Sequence, residues 1–318
     1  MMGDLFGLEV VKEIFLLEIF WPQNYLNQFP GPKFGIEGIK KILNEEYPIF
    51  GVIIKPNFGL TPKETGKLVY DLVLGGASFI KDDELLSSTK YSPIFDRLEF
   101  CMGAINKAKK VTGKECLFAL NITSDGLHTH ELAKEAVKRG ANCLMLNLFA
   151  VGFDVLKEIA SDKNINVPIH THRCMHDIFT SRKNFGVSLH IFSELARICG
   201  ADFFHTGTII GKKKEQLITI KKTFHALSDP WPNLNRTLPI SSRSSSLSIK
   251  PTYDFLNSEE MIYLSCGSVY KRGSRYYREA VRGIKETIAK DIHGSTNMTK
   301  AYYNNQKFIK NLEKSLKK

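Results

Sequence analysis

Residues Ala77–Glu84, with the sequence ASFIKDDE, place one lysine and three carboxylates directly after a short apolar run. Side chains alternate along a strand, so Lys81 and Asp83 project to one face, and Glu84 turns in from the loop. Mg²⁺ prefers oxygen ligands, usually one or two carboxylates completed by water and substrate oxygens. Asp83 and Glu84 suit this role, but an amine repels a metal ion unless Lys81 is deprotonated or converted to an anion. A solvated charge run that closes a strand is the alternative interpretation.

The same pattern of an apolar run followed by polar residues recurs along the chain from about residue 48. Short runs of this kind are typical of buried parallel strands, and longer amphipathic runs between them are typical of helices. The sequence predicts strands near Pro48–Pro56, Ala77–Lys81, Leu117–Ile122, Cys143–Phe149, Val167–His172, Asp202–His205, Thr237–Ser241 and Met261–Cys266. It predicts helices at Pro62–Leu74, Phe95–Val111, His130–Arg139, Val187–Cys199 and Ser274–Lys290.

Strands that alternate with helices eight times favour an α/β fold of the (β/α)8 TIM barrel type, with a doubly wound open sheet as the competitor. In a barrel, the loops after the strands build the active site at one rim. We expect residues 1–47 to be an N-terminal extension, residues 48–292 the catalytic barrel and residues 293–318 a basic C-terminal tail. The residues and segments expected at this rim are Lys55, Lys81–Glu84, Asn121, His170–His176, His205–Lys212, Ser242 and Gly267.

The composition indicates a cytoplasmic protein with anionic ligands. The chain has 318 residues, 44 Lys and Arg against 33 Asp and Glu, and a formal charge of +11. Such an excess steers phosphorylated substrates into a cleft, and we find no motif for specific nucleic-acid recognition. No apolar segment is long enough to span a membrane, and acidic residues interrupt the N-terminal apolar region, so no secretory signal is expected. The six scattered cysteines are expected to be buried free thiols rather than a zinc site.

Several ordered segments together resemble the large subunit of ribulose-bisphosphate carboxylase (RuBisCO) and its RuBisCO-like relatives. They are FPGPKFG at 29–35, IIKP at 53–56, GGASFIKDDE at 75–84, HTHRCMH at 170–176 and HTGTIIGK at 205–212. In that family the lysine of KDDE takes up CO₂ as a carbamate and becomes an anionic metal ligand. The resemblance therefore implies that Lys81 is the carbamate, and that Asp83 and Glu84 complete a Mg²⁺ site.

The resemblance also implies residues for proton transfer. Lys55 matches the lysine that handles the substrate proton, and His172 matches the histidine of the proton-transfer network. Lys212 matches the mobile lid lysine, although a solvated lysine run is a rival interpretation there. The chemistry is coherent, because a divalent ion lowers the cost of an enediolate while a neutral base removes the α-proton.

One substrate phosphate has its expected partners. Arg173 and His205 match phosphate ligands of the family, and Ser242 matches a serine beside the substrate. An Arg and a His that flank one position suit a phosphate group. The alternative is a satisfied hydrogen-bond network at the barrel rim, and for His170 and His176 the two interpretations are evenly balanced.

The other phosphate site departs from the family pattern. Arg243 and Ser244 replace the paired glycines after Ser242, and residues 264–268 read LSCGS in place of a glycine run. Asn57 replaces the family's second lysine. Side chains at these glycine positions obstruct close approach of backbone amides to a phosphate. The sequence therefore indicates a monophosphate or a shortened substrate.

The chain lacks almost all of the family's N-terminal domain, which contributes two residues to the neighbouring subunit's site. A natural truncation, a separate chain that supplies this domain and a decaying gene are the three explanations. We expect a Mg²⁺-dependent enzyme that enolises a phosphorylated ketose or keto-acid sugar, of isomerase or C–C lyase type, in a homodimer or higher oligomer. The alternatives are a genuine carboxylase fragment or subunit and a non-catalytic remnant.

Overall fold

A computed structural model describes residues 4–181, 184–210, 216–271 and 273–294. Eight parallel strands close into a barrel, and each strand pairs with the next along the chain before the last returns to the first. The expected TIM barrel is therefore confirmed. Its strands are β1 (Ile49–Ile53), β2 (Phe79–Lys81), β3 (Leu117–Asn121), β4 (Cys143–Asn147), β5 (Ile169–His172), β6 (Phe203–His205), β7 (Leu238–Ser244) and β8 (Ile262–Ser265).

The register of the strands brings the expected functional segments to one level. Ile53, two residues before Lys55, lies opposite Lys81, and Lys81 lies opposite Ala119. Asn147 on β4 lies opposite His172 on β5. Because all the strands are parallel, the polar residues that follow them meet at the carboxyl end of the barrel.

Helices follow most of the strands and cover the barrel. Five were predicted from the sequence, and each is present with ends shifted by a few residues: Pro62–Gly75, Ile94–Thr112, Gly126–Lys138, Leu189–Ile198 and Tyr277–His293. The other α-helices of the described residues were not predicted from the sequence and lie at Gln23–Leu26, Gly35–Leu43, Leu148–Val151, Phe153–Ser161, Asp177–Thr180, Leu217–Ser228, Ser246–Leu256 and Gly267–Tyr270. Short 3₁₀ helices lie at Leu5–Gly7 and Ser274–Tyr276.

The helix Pro62–Gly75 shows why these residues form these elements. Thr61 is its N-cap, and its hydroxyl accepts from the Glu64 amide while the Glu64 carboxylate accepts from the Thr61 amide at 2.9 Å. This reciprocal capping box satisfies two amides that the first turn leaves open. Gly76 ends the helix with φ 106°, a left-handed conformation that favours glycine. Both ends of this helix therefore carry residue types that favour a helix start and a helix end.

The amino end of the barrel is closed by the helix Gly35–Leu43. Its Ile36, Ile39 and Leu43 pack in one buried cluster with residues near the starts of the strands, such as Ile49 and Phe79. The entry to this helix is fixed by Asp202, a buried carboxylate that accepts from the amides of residues 34, 35 and 169 at 2.7–2.9 Å. With its amino end plugged, the barrel presents its open end at the strand carboxyl termini.

A second, two-stranded parallel sheet joins the N-terminal segment to the barrel. Ile14–Leu16 pairs with Phe185–Val187, a contact that the sequence analysis did not anticipate. The division of the chain at residues 48 and 293 stays a prediction.

Two expectations from composition also bear on the fold. Within the described ranges, no helix has the length and apolar character needed to cross a bilayer. All six cysteines are free thiols, of which Cys174 and Cys266 are only partly buried.

Candidate active site

Lys81 ends strand β2 with its side chain fully buried. Its ammonium donates to the Asp82 carbonyl at 2.7 Å and to Oε2 of Glu84 at 3.0 Å. Burial, the largest single influence, would raise the pKa of Glu84, but the Lys81 charge acts with hydrogen bonds and other neighbours to hold that pKa at about 2. Glu84 is therefore a carboxylate at neutral pH, and Lys81 and Glu84 form one ion pair at the barrel mouth.

Asp83 pairs with the second lysine of the site. Its Oδ2 accepts from Nζ of Lys55, and its Oδ1 accepts from the amide of Leu85 at 2.9 Å. Burial works against the charge of Lys55, but the Asp83 carboxylate prevails and raises the pKa of the Lys55 ammonium. The structure thus alternates two cations and two anions within one small region.

Three histidines lie on the other side of Glu84. Nε2 of His172 is 3.7 Å from the Glu84 carboxylate, and its ring centroid is 4.7 Å from that of His205. Burial, with the Lys81 charge, lowers the pKa of His172 to about 3, so the ring is neutral at physiological pH. His205 in turn contacts His170, whose Nε2 is 2.8 Å from its own Nε2. The backbone amide of Cys174 donates to Nδ1 of His172 at 3.1 Å, so the proton of the neutral ring lies on Nε2, the nitrogen nearer to Glu84.

A cavity of about 280 Å³ opens beside these groups. Five residues expected at the site line it, namely Glu84, His172, Arg173, His205 and Ser242. Cys174, His176 and Thr208 contribute to the same wall. Lys212 lies outside the described residues. The structure therefore brings one metal-type carboxylate, one neutral histidine and one arginine to a single small-molecule cavity.

Three buried residues hold the KDDE loop in place, of which Asn121 was expected at the rim and Arg97 and Asn147 were not. Arg97, on the helix after β2, donates from Nε to Oδ2 of Asp82 at 3.1 Å, and neither side chain is exposed. The side-chain amide of Asn121 donates to the carbonyls of residues 83, 84 and 86 at 3.0–3.3 Å. Asn147 adds a fourth such bond, to the Glu84 carbonyl at 2.8 Å. No spacing in the sequence links Arg97 to Asp82, since the helix packing alone brings them together.

The rim formed by β7 and β8 is filled with small polar side chains. Ser244 and Ser265 face each other across the two strands, and both are buried. The Ser244 hydroxyl donates to the Ser241 carbonyl at 2.8 Å, and the Ser265 hydroxyl bonds to that of Ser268. Their hydrogen bonds are thus made within the rim, where the resemblance places glycines.

Lys81, Asp83 and Glu84 suit a cation such as Mg²⁺ only if the Lys81 amine is converted to an anion. Among the described residues, no group of three or more carboxylate, histidine or cysteine side chains could hold a metal. Asp83 and Glu84 supply carboxylate oxygens, and the group hydrogen-bonded to Glu84 is the Lys81 amine. A carbamate on Lys81 would replace this cation with an oxygen anion, which completes a set of the kind that Mg²⁺ prefers.

Comparisons with known proteins show the family of the chain. The family model of the ribulose bisphosphate carboxylase large chain, catalytic domain, matches residues 35–272. An uncharacterized ribulose bisphosphate carboxylase-like protein of Bordetella bronchiseptica is 31% identical over 278 residues, covering 85% of this chain and 65% of that protein. The chain thus spans a little under two thirds of that relative.

Two further relatives carry the name of the carboxylase itself. The ribulose bisphosphate carboxylase of Thermococcus kodakarensis is 30% identical over 320 residues, covering 92% of this chain and 72% of that protein. The octameric ribulose-1,5-bisphosphate carboxylase/oxygenase of Pyrococcus horikoshii has the same fold, with a TM-score of 0.90 at 24% identity over 99% of this chain and 75% of that one. With a family match over most of its length and relatives of both kinds, the chain belongs to the RuBisCO large-chain family.

Proposed function

We propose that this protein is a Mg²⁺-dependent RuBisCO-like enzyme that enolises a phosphorylated ketose or keto-acid sugar, as an isomerase or a C–C lyase. One observation carries the proposal. At the carboxyl end of the barrel Lys81 donates to Glu84, Lys55 donates to Asp83, and Nε2 of His172 lies 3.7 Å from Glu84. Opposite charges and neutral bases beside a cavity are the elements that α-proton abstraction needs.

The metal would be held by Asp83, Glu84 and the Lys81 carbamate. In carbamylation the neutral Lys81 amine would add to CO₂, so that an N–C bond would form, one C=O π bond would become a C–O⁻, and one N–H proton would leave. Bound Mg²⁺ would polarise the substrate carbonyl and its neighbouring hydroxyl and so lower the cost of negative charge there. The fixed carbonyls and side chains around residues 82–86 support such a site, because a preorganised loop spends little energy on rearrangement.

Lys55 and His172 are the proposed proton-transfer groups. In the ion pair described above, Lys55 is protonated because Asp83 stabilises its charge. If Asp83 turned to a metal ion, Lys55 would lose this partner, and burial would then lower its pKa towards that of a base. His172, neutral at physiological pH, would accept or return a second proton nearby.

Arg173 is the proposed ligand of a single substrate phosphate. It lines the cavity next to His205 and Ser242, and its guanidinium suits a bidentate contact to phosphate oxygens. The buried Ser244 and Ser265 support a monophosphate rather than a bisphosphate, because their side chains occupy the rim where backbone amides would have to approach a second phosphate.

Solvent deuterium exchange tests the proposal. We expect Mg²⁺- and bicarbonate-dependent exchange of an α-proton in at least one member of a panel of ketose and keto-acid monophosphates. Lys81→Met should abolish it, and Lys67→Met, on an exposed face of helix Pro62–Gly75, is the matched control that should retain it. Ligand binding without any exchange in the unmodified protein would favour a non-catalytic protein, and exchange that Lys81→Met leaves unchanged would contradict the role of Lys81. Product that requires CO₂ and ribulose bisphosphate would instead establish a carboxylase.

We also propose a homo-oligomer, as the octameric Pyrococcus horikoshii relative suggests. Light scattering on the purified chain measures the subunit number, and a monomer would contradict this part of the proposal.

A further inference from the structure

The cavity loop, residues 173–181, begins in the wall of the cavity and ends close to a strand pair. Its first half lines the cavity. A few residues further on, Phe185–Val187 pairs in parallel with the N-terminal strand Ile14–Leu16. The amide of Ile14 also donates to the Asn184 carbonyl at 2.7 Å. The N-terminal segment is therefore bonded to the same stretch of chain that forms one wall of the cavity.

Gly186 joins the N-terminal strand to the cavity loop by close packing. Gly186 is buried, and a methyl group on its Cα would lie 2.8 Å from the Phe15 ring and 2.9 Å from the carbonyl oxygen of Phe179. Both distances are too short for a carbon contact, so Phe15 and the Phe179 backbone already pack tightly against Gly186. The helix Asp177–Thr180, which contains Phe179, is thus held through Gly186 against the N-terminal strand.

The last residue of the same helix holds a residue of the cavity wall. The Thr180 hydroxyl lies within hydrogen-bond distance of Nδ1 of His176, at 2.9 Å, and the Thr180 amide donates to the His176 carbonyl at 3.0 Å. His176 has only 6% of its surface exposed and lines the cavity. The contacts therefore run from the N-terminal strand through this helix to the wall of the cavity.

The N-terminal segment is the least buried part of this arrangement. None of residues 4–25, all of which the structure describes, is buried, and the Phe20 side chain is 90% exposed. Beyond the strand, a hydrogen bond from Trp21 to Glu194 at 2.8 Å ties the segment to the barrel. Segments with few buried apolar contacts open locally at a much lower free energy than global unfolding requires. The strand pair is therefore able to open while the barrel stays folded.

We propose that the N-terminal strand is a strap that holds one wall of the cavity, and that its opening releases the cavity loop. In the paired state the strap packs on Gly186, and the helix Asp177–Thr180 keeps His176 in the wall. When the strand leaves, Gly186 and this helix lose a packing partner, so the cavity loop gains freedom and the cavity opens on that side. The inference goes beyond the proposed reaction, since it concerns access to the cavity and needs no substrate.

Cys174 reports on this opening, because it lies in the cavity loop and its thiol is partly buried. Burial, with the Glu84 charge acting in the same direction, raises the pKa of this thiol to about 11. Only the thiolate reacts with a disulfide reagent, so roughly 0.1% of such a thiol is reactive at about pH 8, against roughly 25% of an exposed thiol with an ordinary pKa of about 8.5. Full opening would therefore speed labelling of Cys174 by up to about 200-fold.

Two variants open the strap from its two sides. Ile14→Pro removes the amide that donates to Asn184, and it changes only the N-terminal segment. Gly186→Ala adds a methyl group where Phe15 and the Phe179 carbonyl leave no room. We expect each variant to speed the labelling of Cys174 by at least about tenfold, measured by mass spectrometry of its peptide.

Three controls separate the strap from a general loosening. Cys266, which follows β8, is an internal reference and should change its labelling rate by less than about twofold. Val10→Pro changes a residue that is 85% exposed and precedes the strand. Gly103→Ala adds a methyl group that would meet none of the described residues within 4 Å outside its own helix. Both control variants should label Cys174 at the rate of the unmodified protein.

The result for Ile14→Pro decides the inference even if Gly186→Ala fails to fold. Unchanged labelling of Cys174 in Ile14→Pro would overturn it, because the wall would then keep its position without the strap. Equal acceleration of Cys174 and Cys266 would also overturn it, because the opening would not be confined to the wall that the strap holds.

Discussion

Replacement of Arg97 by methionine should destabilise the protein far more than loss of an ordinary surface ion pair. Arg97 and Asp82 are both fully buried. Oδ2 of Asp82 accepts from Nε of Arg97 at 3.1 Å and from the backbone N–H of Asn121 at 3.2 Å. Arg97 also donates from Nη1 to the Ser92 carbonyl at 2.9 Å. Methionine has a similar length but leaves the Asp82 carboxylate buried without its cation.

The magnitude follows from this burial. Removal of one partner of a buried ion pair costs about 3–5 kcal/mol, because the other charge stays desolvated. For domains of this general size a loss of 1 kcal/mol lowers Tm by about 2–4 °C, so a drop of roughly 6–20 °C is expected. Arg139→Met is the control, since Arg139 and Glu135 form an exposed pair, with 54% and 36% of their side chains accessible, worth about 1 kcal/mol or less.

Denaturant and thermal unfolding of the single and double variants measure the effect. The variant with both Arg97→Met and Asp82→Asn should be more stable than Arg97→Met alone, because a neutral amide at position 82 is cheaper to bury than an unpaired carboxylate. If Arg97→Met were no less stable than Arg139→Met, the reasoning would be refuted. The same holds if the second substitution made the protein still less stable.

Three further predictions concern separate parts of the molecule. Burial raises the pKa of Glu194 to about 7, although a hydrogen bond from Trp21 to its carboxylate opposes this shift. The protonated side chain therefore stabilises the folded state. This stabilisation is complete below about pH 4.5 and is lost as pH rises to about 7. Glu194→Gln should flatten this pH dependence and add about 1–3 kcal/mol at about pH 8, and an unchanged slope in denaturant unfolding would contradict it. Asn121→Ala should lower the free energy of unfolding by about 2–4 kcal/mol, because three hydrogen bonds to the KDDE loop are lost. It should also weaken Mg²⁺ binding measured by calorimetry. An unchanged affinity would show that the loop keeps its conformation without Asn121. Thr61→Ala should cost about 1 kcal/mol in denaturant unfolding through loss of the capping box, and an effect below a few tenths would contradict the cap's role.

Much of the fold could be predicted from the sequence because its signals are local. Buried parallel strands are continuous apolar runs, and helix ends carry residues such as Thr61 and Gly76 whose preference is intrinsic. The strand ends were predicted to within about three residues, as for β2, where the expected Ala77–Lys81 is Phe79–Lys81 in the structure.

The remaining features depend on contacts between distant segments. The pairing of Ile14–Leu16 with Phe185–Val187 joins two short segments that lack a strong strand pattern. The buried bond from Arg97 to Asp82 and the bonds from Asn121 to the loop arise from packing, which no spacing rule encodes. The connection of His170 to Ser242 through His205 likewise exists only once three strands stand side by side.

The central claim is that Lys81 becomes a carbamate when Mg²⁺ binds, and ¹³C NMR with ¹³C-bicarbonate tests it directly. We predict one carbamate resonance per chain that appears with Mg²⁺ in the unmodified protein and in Lys67→Met, and that is missing from Lys81→Met. The absence of a Mg²⁺-dependent carbamate from the unmodified protein, or its persistence in Lys81→Met, would contradict the account.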